Sequence, residues 1–191
     1  GTEEKAAKQK KAGATLYKGR WKDRYQRWRA NQNRRRKVPY DAQWRCLDAV
    51  HRRCVLEYVE ERKNRVNCSD EDPMLALLHA PPGHGKSQLV DCIRSYFETV
   101  WDWDYGVQFI ILAPMNTMAN NVGGDTMHAW GEIPFASDSK HVGGKSQAAA
   151  VDLSSMHLKC EAIRRMIVDV VENASADALG ILETHVRQAA N

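Results

Sequence analysis

The residues best equipped for chemistry lie in one short stretch, Ala80-Pro-Pro-Gly-His-Gly-Lys-Ser87. Gly83 and Gly85 leave room for backbone N–H groups to converge on phosphate oxygens. Lys86 has the reach to meet β- and γ-phosphates, and the Ser87 hydroxyl is the ligand such a loop offers to Mg2+. The loop must leave a strand and open a helix, so that the helix N-terminus faces the anion. Met74-Leu-Ala-Leu-Leu-His79 supplies an apolar run between Pro73 and Pro81 that suits a buried parallel strand. After the loop, Leu89, Ile93, Tyr96 and Val100 recur on one face of a helix. Motif and context together predict a P-loop that binds ATP with Mg2+. Gly83, His84, Gly85, Lys86, Ser87 and Gln88 are the residues around the cofactor, with His84 read as a solvent-facing loop position rather than a catalyst. Ala80 stands where the pattern's first glycine is usual. A second Gly-Gly-Lys-Ser, at 143–146, lacks the strand, the spacer and the leading glycine, and reads as a decoy.

A P-loop ATPase needs an acid at the end of a neighbouring apolar strand to hold the magnesium shell. Met166-Ile-Val-Asp169 provides one, which makes Lys86 and Asp169 the candidate catalytic residues and Ser87 and Asp169 the candidate metal residues. Hydrolytic enzymes of this kind often follow the Asp with a Glu that orients the attacking water. Here that position is Val170, and Glu172 lies two residues further on. Period-two alternation returns its side chain to a different depth along the strand, which makes Glu172 an imperfect substitute.

These groups need a framework. The 191 residues, 43% of them hydrophobic, suffice for one domain with a real core. The net charge of +4 hides an asymmetry: residues 1–40 hold 14 Lys/Arg against 3 Asp/Glu, and the rest holds 14 against 21. A basic arm is therefore joined to an acidic domain. Residues 1–15 read as disordered, and Tyr17, Trp21, Tyr25 and Trp28 then form one aromatic stripe along a helix. Rings at helical spacing favour packing on the domain, while the charge of the arm favours an anionic partner. Arg34-Arg-Arg-Lys37 closes the arm and has the look of a nuclear import signal. A second helix is predicted from Asp41 to Arg62, with Trp44, Leu47, His51, Cys54, Val55 and Tyr58 on one face. Strands are predicted at 74–79, Val107–Ala113 and Arg165–Val171, a surface excursion at 131–150, and a last helix at 175–190. The alternation of strands and helices predicts an α/β fold with a parallel sheet. Five cysteines without a Cys-x-x-Cys pair argue against a disulfide framework or zinc cluster and for a reducing compartment, nuclear or organelle matrix. No apolar run approaches membrane-spanning length, and the N-terminus lacks the apolar core of a secretory signal.

The order of the motifs adds a resemblance. Tyr40-Asp-Ala-Gln43 precedes the P-loop, Leu112-Ala-Pro-Met-Asn-Thr-Met-Ala119 and Gly123-Gly-Asp-Thr-Met-His128 follow the second strand, and Asp169 comes last. This series resembles the first motor domain of superfamily 1B DNA helicases of the PIF and RecD type, over about residues 40–190. The resemblance implies a RecA-like P-loop fold, incomplete here, behind an arm at 1–39. It implies that Gln43 reads adenine and that Pro114, Thr126 and His128 line a single-stranded DNA path. Met115, Asn116, Met118 and Val170 depart from the family pattern, and the later motifs and the second motor domain with its arginine finger are not in this chain. Two functions are expected on these grounds. One is the ATP-binding motor domain, or a fragment, of an ATP-dependent DNA helicase that needs a second domain to unwind. The other is a hydrolysis-deficient NTPase-like domain that serves as a nucleic-acid-binding or scaffold subunit.

Overall fold

The computed structural model describes residues 20–64, 74–133 and 153–190. The predicted disorder at 1–15, Tyr17, most of the 131–150 excursion and the second Gly-Gly-Lys-Ser lie outside them.

The sheet is built on β1 (Phe109–Ala113), whose five residues are all buried. It is flanked in parallel by β2 (Asp125–Thr126) and β3 (Arg165–Val168), giving the order β2-β1-β3. Successive residues of β1 point to opposite faces and so serve two cores. Phe109 and Ile111 enter one cluster, Ile110 and Leu112 the other. The fold is thus an α/β arrangement with a parallel sheet between two helical layers.

The first layer holds α1 (Arg20–Gln32), α2 (Asp41–Asn64) and α3 (Lys86–Tyr96), the last extended by a π-helical turn over Phe97–Trp101. The stripe read from the sequence packs as a stripe: Tyr25 and Trp28 are buried and Trp21 stacks on Trp101 with centroids 5.9 Å apart. Trp28 donates its indole N–H to Ser95 Oγ at 3.1 Å, which joins α1 to α3. Tyr25 donates to Asp48 Oδ1 at 2.8 Å and Arg29 pairs with the same oxygen at 2.6 Å, which joins α1 to α2. α4 (Asn116–Val122), which follows β1, joins the first layer: its Val122 is buried in the same cluster as Phe109 and Ile111. The second layer holds α5 (Met127–Gly131), which follows β2, together with α6 (Leu153–Cys160) and α7 (Ala176–Ala190). Met127, Met156 and Leu182 fill the core between α5, α6 and α7.

The three predicted strands differ from the structure. Val107–Ala113 begins only at Phe109, because Val107 and Gln108 donate their N–H groups to Asp104 O in a turn, at 3.1 and 3.2 Å. Arg165–Val171 stops at Val168, because Val170 takes a left-handed conformation (φ 54°) and turns the chain into a 3-10 turn over Val171–Asn173. Met74–His79 is not in the sheet. Its Leu75 and Leu77 are 90% and 81% exposed, and a cavity of about 430 Å3 separates the run from β3 and α3. Apolar composition favours burial, but a strand also needs a ladder partner at hydrogen-bonding distance, and the cavity lies between this run and the open edge of β3.

His51 gives the first layer a pH dependence. Its ring stacks on Tyr25 at 3.7 Å and its Nδ1 lies 2.8 Å from Tyr96 Oη. Burial lowers its pKa from the usual 6.5; Arg29 and Arg52 lower it further, and Asp48 opposes them. The unfolded chain therefore takes up a proton first as the pH falls below 6.5, and stability is lost in that window. The fall in Tm between about pH 7.5 and about pH 5.5 is expected to be larger in the wild type than in His51→Gln. Equal falls would show that His51 titrates alike in both states.

Candidate nucleotide-binding site

The loop before α3 has the two backbone reversals that its glycines permit. Gly83 and Gly85 both lie at positive φ, 80° and 74°, where L side chains are strained. Gly85 is the N-cap of α3, so Lys86 begins the helix and Ser87 lies exposed in its first turn. Lys86 Nζ donates to Ala80 O at 2.8 Å, closing the loop on itself. His84 is exposed, as read from the sequence, and its Nδ1 sits 3.1 Å from Pro82 O.

The loop is also held from outside. Gln43, only 3% exposed, donates from Nε2 to Gly85 O at 2.9 Å and accepts from Tyr40 N at 3.1 Å. Tyr40 donates its hydroxyl to His84 O, and Gln88 Nε2 donates to Lys37 O at 3.0 Å. The start of α2 and the bend before it therefore cradle the loop. This places the exposed basic residues Arg34, Arg35, Arg36 and Lys37 on its flank. The seating function of Tyr40 and Gln88 had no sequence signal beyond their nearness to the motif.

Asp169 lies where β3 ends. It is buried, and its N–H donates to Leu112 O at 2.8 Å as the last rung between β1 and β3. Burial raises its pKa above the ordinary carboxylate range; the Val170 N–H lowers it, Glu172 raises it and Lys86 lowers it. Glu172 Oε1 comes to 3.8 Å from Lys86 Nζ. Lys86, Asp169 and Glu172 thus meet at the carboxyl edge of the sheet and line one end of the 430 Å3 cavity.

The remaining sequence candidates sit along the same edge. Pro114 follows β1 and is half-buried. Thr126 caps α5, its Oγ1 accepting from Ala129 N at 3.1 Å, and His128 is half-buried in that helix. Met118 Sδ receives the Asn173 amide at 3.8 Å, linking α4 to the turn that carries Glu172. The structure therefore gathers Gln43, Gly85, Lys86, Asp169 and Glu172 around the loop. Pro114, Thr126 and His128 belong to the neighbouring β1 and β2 ends.

Among the described residues no group of three or more His, Cys, Asp or Glu side chains is placed to hold a metal ion. Among the described residues no helix is long and apolar enough to cross a membrane. The described cysteines are free thiols, and burial pushes Cys54 up to about 11. Compared with protein-family models, curated proteins and solved structures, the chain finds no match.

Proposed function

We propose that this chain is a nucleotide-binding motor domain, or a piece of one, from an ATP-dependent DNA helicase of the superfamily 1B type with a RecA-like core. The observation that carries the reading is that Lys86 and Asp169 line one cavity at the carboxyl edge of a parallel sheet, beside a loop with two left-handed glycines. Lys86 would exchange the Ala80 carbonyl for β- and γ-phosphate oxygens. Ser87 and Asp169 would hold Mg2+, which neutralises phosphate charge when bound. Gln43 seats the loop with one amide hydrogen and has a second to offer an adenine. Pro114, Thr126 and His128 would border single-stranded DNA, and the exposed Arg34–Lys37 bend would meet its phosphates or another anion. Reduced thiols fit a nuclear or organelle-matrix setting. Val170 favours a second reading, in which the domain binds nucleotide without hydrolysing it and acts as a nucleic-acid-binding or scaffold subunit.

Titration of fluorescent ATP onto the wild type and Lys86→Ala tests the proposal. The substitution removes a charge-assisted hydrogen bond worth about 1.5–3 kcal/mol, so affinity is expected to fall roughly tenfold to a hundredfold. No binding by either protein would sink the nucleotide reading. Turnover stimulated by single-stranded DNA separates motor from binding module.

A further inference from the structure

We propose that Glu172 supplies the catalytic carboxylate missing at position 170. The inference rests on the nucleotide reading above and deepens it.

Sequence alternation sets Glu172 at the wrong depth, because it assumes that β3 runs on. The structure removes that assumption. The strand ends at Val168 and Val170 adopts φ 54°, ψ 43°. A β-branched residue there is a genuine outlier, and such strain costs on the order of 1–3 kcal/mol. Its consequence is local and specific. An extended chain would carry residue 172 about 10 Å beyond Asp169. The reversal and the 3-10 turn instead bring its carboxylate to 3.8 Å from Lys86 Nζ. Asn173 N to Val170 O and Ala174 N to Val171 O, both 3.0 Å, hold the turn closed. The Asn173 contact with Met118 anchors it to α4.

Glu172 also has the accessibility the task requires. Its side chain is 59% exposed, whereas Asp169 is buried. The two carboxylates therefore divide the work by environment: the buried one faces the metal position, and the open one faces water. Lys86 links them to the phosphates. With no nucleotide its ammonium is shared by Ala80 O and Glu172. A γ-phosphate drawn to that ammonium competes for it and leaves the Glu172 carboxylate beside the reacting phosphorus. There it holds a water. The water oxygen attacks the γ-phosphorus, and the bond to the β,γ-bridging oxygen breaks with its electron pair kept by ADP. The water proton passes to a Glu172 oxygen and from there to the released phosphate. Atoms and charge balance without an oxidant or reductant.

The test uses the full chain with Mg2+ and single-stranded DNA, and reads ATP binding and single-turnover ATP hydrolysis separately. Glu172→Gln is expected to keep ATP affinity within about threefold and to slow hydrolysis by roughly 100-fold or more, the range of general acid–base contributions. Glu172→Asp should recover part of the rate. Glu172→Gln hydrolysing at the wild-type rate, or a wild type that binds ATP and never turns over, would overturn this inference and leave nucleotide binding standing. A wild type that binds no ATP would overturn both.

Discussion

Trp28→Ala is expected to lower the stability of the folded domain by about 3–5 kcal/mol, the usual cost of emptying a buried aromatic site. The site is well packed. Trp28 is 1% exposed and meets Trp44 at 5.9 Å and Tyr96 at 5.3 Å, both edge-on. Its indole N–H is bonded to Ser95, so the truncation also leaves that hydroxyl with less to do. A domain holds together by only about 5–15 kcal/mol in all, and the loss takes a large share of that. The midpoint of urea unfolding followed by circular dichroism should fall with little change in slope. Trp28→Phe keeps most of the ring and loses the hydrogen bond, so it should cost about 1 kcal/mol. A change within about 0.5 kcal/mol in Trp28→Ala, the level of ordinary surface substitutions, would mean that α1 is not docked as described. The prediction separates two properties of the arm. Its rings are core, while Lys22 and Arg27 on its outer face are exposed and remain open to an anionic partner.

That separation was legible in the sequence, since Trp21, Tyr25 and Trp28 keep helical spacing. So was β1, because Phe-Ile-Ile-Leu-Ala is a continuous apolar run and both faces of the strand are covered. Met74–His79 carries the same compositional signal with a different outcome. Composition reports a tendency to be buried; it does not report whether an edge lies at ladder distance. The sequence also hid the π-helical turn at Phe97–Trp101, since no residue type marks an i to i+5 bond. The division at the site is similar. The loop's two reversals and the place of Asp169 at the end of β3 were readable, because Gly83 and Gly85 permit positive φ and the apolar run before Asp169 reads as a strand. Glu172 was misplaced because its position depends on one dihedral at Val170, where a β-branched residue argues against the conformation found. Places where local preference is overruled are where function is often stored. The residue that looked like a defect at 170 is what turns the chain back toward Lys86.

The second large effect is expected at Gly85. Gly85→Val should weaken ATP binding by more than about a hundredfold while leaving the core of the fold intact. Two independent obstacles meet there. A side chain at φ 74° is strained, by roughly 1–2 kcal/mol for an ordinary residue and more for a β-branched one. Its Cβ would also stand 2.8 Å from Gln43 Nε2, which is donating to the Gly85 carbonyl. The amide cannot simply swing aside, because Gln43 is buried and its oxygen is held by Tyr40 N. Relief must come from the loop, which tilts away from α2 and takes with it the N-cap of α3. The N–H groups of that first turn then no longer converge on one point, and convergence is what makes a helix N-terminus an anion site. Lys86→Ala removes one cation from a sound cradle, whereas Gly85→Val spoils the cradle, so its effect on affinity should be the larger. Pairing it with Gln43→Ala tests the coupling. If the clash with Gln43 dominates, the double variant should recover part of the affinity, since the space for Cβ is restored. If backbone strain dominates, the double variant should bind no better than Gly85→Val alone. Near-normal ATP binding by Gly85→Val would mean that the loop does not hold phosphate, whatever its sequence suggests.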